Sequence, residues 1–110
     1  MPQVILTELA RTEYLQAIQY FLHIGATQQA SDLAQLFNDE FEKVATIQGL
    51  GKSYVFMVDT PLKNIKEHKF RYGKSGYQFL YYHDEHRDAV VILTLKNYRQ
   101  QNYALIESTP

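Results

Sequence analysis

Apolar residues in the first half of the chain recur every three or four positions, which is the spacing of a helix face. Residues 3–6 predict a short strand before the first helix, and Thr7 is a typical N-terminal cap for that helix. Gly25 is placed to end it, and Thr27 to begin a second helix. The predicted core positions are Ala10, Tyr14, Ala17, Ile18, Phe21 and Ile24 in the first helix, and Ala30, Leu33, Ala34, Phe37, Phe41, Val44 and Ala45 in the second. Because the link between the helices is short, they should form an antiparallel hairpin.

The second half of the chain has the alternation and β-branched content of strands. Strands are predicted over residues 64–72, 77–83 and 89–96, with turns at residues 73–76 and 84–87. Three strands joined by such short turns form an antiparallel meander, and two helices can cover one of its faces. The predicted fold is therefore α+β, in the order β-α-α-β-β-β, with an antiparallel sheet packed against an N-terminal helical hairpin.

Residues 49–62 separate the two halves and give a mixed signal. The segment 54–58 is apolar and β-prone, but Pro61 and the glycines favour an ordered loop, so a short strand within it stays open. Neither repeats nor a linker divide the sequence, and 110 residues fit one small domain. Residues 1–110 are therefore predicted to form a single domain.

Composition excludes several classes of protein. Apolar residues make up 45% of the chain, which is typical of a globular domain. There is no cysteine, which excludes disulfides and thiolate metal sites. No apolar run exceeds the five residues of 89–93, which is far shorter than the roughly 20 residues of a membrane span. No basic region followed by an apolar stretch opens the chain, so a cytoplasmic location is expected, with no membrane partner.

Charge is divided unevenly along the chain, although the net charge is only −1. Residues 1–62 hold three basic and seven acidic side chains, whereas residues 63–110 hold eight basic and five acidic ones. This asymmetry is consistent with a polyanionic partner for the C-terminal half. A solvated surface with uneven charge explains it equally well.

The strand around Lys69 and Arg71 carries the clearest candidate surface. Since alternate residues of a strand share a face, Glu67 should point the same way as these two cations. The other face of that strand would hold His68, Phe70 and Tyr72, and across the hairpin the cationic face would also hold Gln78, Leu80 and Tyr82. An exposed face with cations and aromatic rings suits a phosphate backbone or an acidic peptide. It also suits a merely soluble sheet surface.

Two further segments are candidates. Residues 96–103 follow the last strand and are rich in hydrogen-bond donors, with Lys96 and Arg99 adding charge near the sheet edge. The run at 83–86 contains two histidines and is a candidate metal site. Side chains at the tip of a tight hairpin point away from one another, however, which disfavours their binding one metal ion. Neither a metal nor an organic cofactor is expected.

Four segments together resemble the RelE/ParE superfamily of bacterial toxins. They are the opening Val-Ile-Leu-Thr-Glu-Leu-Ala at 4–10, Gly-Tyr-Gln-Phe-Leu-Tyr-Tyr at 76–82, Val-Val-Ile-Leu at 90–93 and Asn-Tyr-Arg at 97–99. The resemblance covers residues 3–103 and rests on their order and spacing. It implies the β-α-α-β-β-β fold and a cytoplasmic toxin of a type II toxin–antitoxin system, which forms a hetero-oligomer with its cognate antitoxin.

The RelE branch of this family cuts messenger RNA on the ribosome. Its pattern would place Lys69 and Arg71 as charge-stabilising residues and Tyr103 as the catalytic acid or base. Two arginines of that pattern are absent, because Gln78 and Asn97 stand in their places. Fewer cations would leave the charge of the transition state less well stabilised.

The ParE branch inhibits DNA gyrase, and the long helical hairpin over about residues 8–48 is similar to it. The chain is therefore predicted to be a ParE-like gyrase inhibitor that acts by binding. The alternatives are a RelE-like endoribonuclease and a non-toxic relative that only binds an antitoxin. The residues expected to contact target or antitoxin are Lys69, Arg71, Leu80, Tyr82, Lys96 and Arg99.

Overall fold

A computed structural model of the chain describes residues 2–47, 50–53, 64–100 and 102–103. The elements are β1 (Gln3–Leu6), α1 (Glu8–His23), α2 (Thr27–Thr46), β2 (Lys52–Ser53), β3 (Lys66–Tyr72), β4 (Ser75–Asp84) and β5 (Ala89–Asn97). This is an α+β fold in which both helices precede the meander, as the sequence predicts. Of the segment 49–62, β2 is described, while the β-prone stretch 54–58 lies outside the described residues.

The N-terminus of α1 is closed as predicted. The hydroxyl oxygen of Thr7 accepts a hydrogen bond from the backbone N–H of Ala10 at 3.1 Å. The same hydroxyl donates to the carbonyl oxygen of Leu93 at 2.8 Å, which ties the start of the helix to β5. At the other end Gly25 has φ of +76°, the left-handed conformation that commonly follows a helix. Thr27 begins α2, although no side chain caps that helix.

The five strands form one sheet in the order β1-β5-β4-β3-β2. The pairs β3–β4 and β4–β5 are antiparallel, which confirms the predicted meander. The first strand lies parallel to β5 at the edge, with Gln3 opposite Ala89 and Leu6 opposite Ile92. The sheet is therefore mixed and not purely antiparallel. This parallel pairing was not predicted, because the pattern of a four-residue strand does not indicate its partner.

Two predicted strand limits were wrong by two residues. Strand β3 begins at Lys66 and not at residue 64, since Asn64 has φ of +59°, which is incompatible with a strand. The predicted turn 73–76 is shorter, with Gly73 and Lys74 forming a two-residue loop. Gly76 belongs to β4, where a Cβ atom would come within 2.5 Å of the Tyr98 ring. The absence of a side chain at Gly76 thus allows the Tyr98 ring to pack closely against the strand.

Both helices pack on one face of the sheet, called here the covered face. The hub is Phe37, which is 0% exposed and whose ring contacts those of Tyr14, Phe41 and Tyr77. The predicted core positions of α2 are buried except for Ala34, which is half-buried. Ile24 was predicted wrongly: it is 60% exposed, because α1 ends at His23 and the residue follows its last turn.

A polar cluster lies between α2 and β3 on the covered face. One carboxylate oxygen of Glu40 lies 3.0 Å from Nε2 of His68, and the other lies 2.7 Å from the ammonium group of Lys43. Burial would raise the pKa of Glu40, but the hydrogen bonds from Lys43 and His68 outweigh it and lower the pKa below its usual value. The carboxylate therefore stays ionised where it joins the helix to the sheet.

Within the described part of the chain, neither helix combines the length and apolar character needed to cross a membrane. The longer one, α2, spans 20 residues.

Candidate functional site on the open face of the sheet

The sheet face opposite the helices, called here the open face, carries the predicted cationic strand. Strand alternation places Glu67, Lys69 and Arg71 on this face, while Phe70 and Tyr72 join the covered core. The register sets Lys69 opposite Gln78 and Glu67 opposite Leu80. The predicted division of β3 into two faces is therefore confirmed.

The middle of the open face is apolar, and its residues are buried from solvent. A second, smaller hydrophobic cluster lies here, made of Ile65, Leu80, Val91, Leu93 and Tyr103, with Ile5 and Tyr82 packed against it. Leu80 was expected as an exposed contact residue, but it is 0% exposed. It packs in the same cluster as Tyr103, which comes from the segment after β5. Leu80 can therefore support a binding surface but cannot itself contact a partner in this conformation.

A polar network borders this cluster. The hydroxyl of Tyr103 donates to Oε2 of Glu67 at 2.7 Å. The side-chain amide of Gln78 donates both to that oxygen and to the hydroxyl oxygen of Tyr103, each at 3.0 Å. Glu67 thus accepts two hydrogen bonds at one oxygen atom. Tyr103 is only 2% exposed, so its hydroxyl is committed inside the network.

Two lysines flank the network and differ in environment. Lys69 is exposed, and its ammonium group lies 3.8 Å from Oε1 of Glu67. Lys96 is 7% exposed and donates to the carbonyl oxygen of Gln100 at 2.8 Å. Its ammonium nitrogen also lies 5.4 Å from the centroid of the Tyr103 ring. Burial lowers the pKa of Lys96, and the nearby charge of Lys69 lowers it further, whereas Glu67 acts in the opposite direction.

The remaining two cations lie apart from the network. Arg71 is exposed near the end of β3, opposite Gly76. Arg99 is exposed in the turn after β5, where its backbone N–H donates to Oδ1 of Asn97 at 2.9 Å. Asn97 therefore shapes a turn and does not present a side chain to the open face. The structure brings Lys69, Lys96 and Tyr103 together and leaves Arg99 outside that group.

Two residues of the network carry roles that the sequence did not indicate. Both were placed on the cationic face, Glu67 without a partner and Gln78 also as the replacement of an arginine. Their contacts with Tyr103 join positions 36 and 25 residues apart in sequence. Gln78 is 8% exposed, but its place on a face expected to be open provided no local signal of a buried network.

The chemistry of this arrangement favours binding over proton transfer. A general base must come within hydrogen-bond reach of the proton that it abstracts. The Tyr103 hydroxyl is buried and already paired with a carboxylate, whereas the exposed groups of the face are Lys69 and Arg71. Among the described residues, including the run at 83–86, no group of three or more histidines or acids could hold a metal ion.

Comparisons with known proteins add no identification. No protein-family model matches the sequence, and no curated protein matches it.

Proposed function

We propose that the chain is the toxin of a type II toxin–antitoxin system and that it acts by binding DNA gyrase, in the manner of the ParE branch. Apart from the additional two-residue strand β2, the order of elements agrees with the one that the family resemblance implies. The observation that carries the choice of branch is the Tyr103 hydroxyl, which is held by Glu67 and Gln78 inside the sheet surface. A hydroxyl that is already hydrogen-bonded on both sides fits a structural role better than a catalytic one.

The proposed partner in the cell is a cognate antitoxin whose acidic segment covers the open face. Lys69 and Arg71 are exposed there, and Tyr82, farther along β4 on the same face, is half-buried. Opposite charge would guide such a segment to the face and set its register. Segments of this kind often order on binding and cover a large surface.

Charge reversal tests the position of the antitoxin. Lys69→Glu combined with Arg71→Glu should weaken binding of the co-expressed antitoxin by about tenfold or more, since opposed charges become like charges. The matched control is Arg11→Glu combined with Arg87→Glu, which reverses two exposed cations away from the open face. Calorimetric titration of both double variants measures the difference. Equal affinities would place the antitoxin on another surface.

One observation favours a second candidate, a ribosome-dependent endoribonuclease. Lys69, Lys96 and Tyr103 converge around Glu67, so a carboxylate, a phenol and two ammonium groups lie on one face. These are the group types that proton transfer and phosphate stabilisation use. Under this candidate the network would have to open, so that Tyr103 could reach the attacking 2′-hydroxyl.

Expression of the chain without its partner distinguishes the candidates. A gyrase inhibitor should cause growth arrest with filamentation and a DNA-damage response, while ribosome-bound messenger RNA stays intact. A nuclease should cause arrest with messenger cleavage. Absence of arrest from a folded, soluble chain would contradict both and leave the non-toxic antitoxin-binding relative.

A further inference from the structure

A groove on the covered side of the sheet lies apart from the open face. It has a volume of about 670 Å³ and lies between α1 and the end of the sheet formed by β3, β4 and β5. Its aromatic lining is Tyr20, Phe21, Tyr72 and Tyr77, and its cations are Lys74 and Arg99. We call it the α1 groove. Its volume falls within the range of about 300–1,000 Å³ typical of small-molecule sites.

The aromatic side chains form a continuous wall. The rings of Tyr20 and Phe21 lie 5.3 Å apart between centroids, and those of Phe21 and Tyr72 lie 5.9 Å apart. Tyr72 is fixed by its hydroxyl, which donates to the carbonyl oxygen of Gln29 at 3.1 Å. Tyr20, by contrast, is 61% exposed. A large ring left open at the mouth of an otherwise packed wall is suited to stacking on a planar ligand.

The two cations of the groove, Arg99 and Lys74, lie in short turns. Arg99 is carried by the turn in which Asn97 Oδ1 accepts from the backbone N–H groups of Arg99 and Gln100, at 2.9 and 3.1 Å. Lys74 is carried by the two-residue loop between β3 and β4. Tyr77 and Arg99 both line the groove. Burial and the neighbouring Tyr72 raise the pKa of Tyr77, and the charge of Arg99 partly offsets this.

The acidic side chain in the described lining is turned toward the sheet. Oε1 of Glu13 accepts hydrogen bonds from the Thr94 hydroxyl at 2.7 Å and from the Leu95 N–H at 3.0 Å. That carboxylate therefore serves to join α1 to β5. An anion entering the groove would find two cations, Lys74 and Arg99, at its sheet end.

We propose that the α1 groove binds a single nucleoside phosphate. Its base would stack on Tyr20, and its phosphate would pair with Arg99 and Lys74. A guanidinium group suits a phosphate because it can donate two parallel hydrogen bonds. A tyrosine ring accepts any base, because every base has a π face. The groove has room for one nucleotide, and it lies on the opposite side of the sheet from the open face, so this site is separate from the surface proposed to bind the antitoxin.

Calorimetric titration of the purified full-length chain with adenosine 5′-monophosphate and uridine 5′-monophosphate tests the proposal. The separated parts, adenosine and inorganic phosphate, are titrated alongside, together with a single-stranded tetranucleotide. We expect saturable binding of both mononucleotides. Each separated part should bind about tenfold more weakly or worse, because it keeps only the stacking or only the charged contact.

Two variants locate the site. Tyr20→Leu and Arg99→Gln should each weaken mononucleotide binding by about tenfold, and both replace exposed side chains, so the fold should persist, as circular dichroism would check. Arg71→Gln is the matched control, because it removes an exposed arginine from the opposite face. Its affinity should equal that of the parent.

Three outcomes would overturn the proposal. The first is that neither mononucleotide binds saturably. The second is that Arg71→Gln and Arg99→Gln lose equal affinity, and the third is that the tetranucleotide binds more than about tenfold tighter than a mononucleotide. The second outcome would mean general attraction between charges. The third would mean that the occupant is a nucleic-acid strand and not a single nucleotide.

Discussion

The two faces belong to the same five-stranded sheet yet have opposite organisation. The covered face is an aromatic core in which Phe37 contacts rings from α1, α2 and β4. The open face has a small apolar centre around Leu80, bordered by the hydrogen-bonded group of Glu67, Gln78 and Tyr103. The covered face is stabilised mainly by burial of apolar area, although Glu13 and Glu40 also accept hydrogen bonds there, whereas the smaller apolar centre of the open face depends more on its network around Glu67.

Because of this difference, the covered face mainly stabilises the fold, and the open face is left for recognition. Apolar burial on the covered face supplies most of the driving force for folding. The open face can therefore carry exposed charge at Lys69 and Arg71 without loss of the fold. Its buried network is sensitive to small changes, because removing one partner leaves another polar group buried and unpaired.

The largest expected effect is at the centre of the covered face. Phe37→Ala should lower the free energy of unfolding by about 3–5 kcal/mol, since it removes a fully buried ring and leaves a cavity. Urea denaturation followed by circular dichroism measures this change. Leu22→Ala, at a half-exposed position of α1, is the control and should change stability by about 0.5 kcal/mol or less. Similar losses in the two variants would contradict the assignment of the core.

The second effect compares two buried tyrosines on opposite faces. Tyr103→Phe should cost about 1.5–3 kcal/mol, because Glu67 loses a hydrogen bond to a charged group. Tyr81→Phe should cost only about 0.5–1.5 kcal/mol, because the Tyr81 hydroxyl accepts from the neutral N–H of Gly51 at 3.0 Å. Denaturant unfolding of both variants makes the comparison. Equal costs would show that the Glu67 contact adds nothing.

The third effect is a pH dependence that belongs to the covered face. The folded state lowers the pKa of Glu40 below its ordinary value of 4.5, so the ionised carboxylate favours folding above that pH. This stabilisation should disappear as the pH falls from about 4.5 through the lower folded value. Glu40→Gln should flatten the acid limb of the stability profile, while Glu42→Gln, exposed on the same helix, should leave it unchanged. Superimposable profiles for the two variants would refute the role of Glu40.

The smallest effect concerns the buried lysine of the open face. Burial lowers the pKa of Lys96, which means that folding disfavours its charge. Lys96→Met keeps the length of the side chain and removes that charge, so stability should change by about 1 kcal/mol or less, with either sign. Thermal unfolding at neutral pH measures it. A much larger loss would mean that the bond to the Gln100 carbonyl is essential to the turn.

The sequence predicted the elements whose signals are local. Helix periodicity identified the core positions of α2, and alternation assigned the two faces of β3, because each pattern depends on neighbouring residues. The cap at Thr7 and the left-handed glycine at Gly25 followed from the same local chemistry. The exposure of Ile24 was missed, because helical spacing continues past the residue at which the helix ends.

The features that the sequence did not predict depend on contacts between distant segments. The parallel pairing of β1 with β5, the burial of Leu80 and the network of Glu67, Gln78 and Tyr103 all require the path of the folded chain. Arg99 was grouped with the cations of β3, but the turn set by Asn97 directs it to the α1 groove. The path of the folded chain thus determines which charged side chains lie close together.

A gyrase supercoiling assay tests the proposed function most directly, using the purified parent chain and Tyr103→Phe, each first shown to bind the proposed antitoxin. We expect both proteins to inhibit supercoiling to the same extent and neither to cut ribosome-bound messenger RNA. A parent that leaves supercoiling unchanged and cuts messenger, with cleavage abolished in a folded Tyr103→Phe, would contradict the proposed function and establish the nuclease instead.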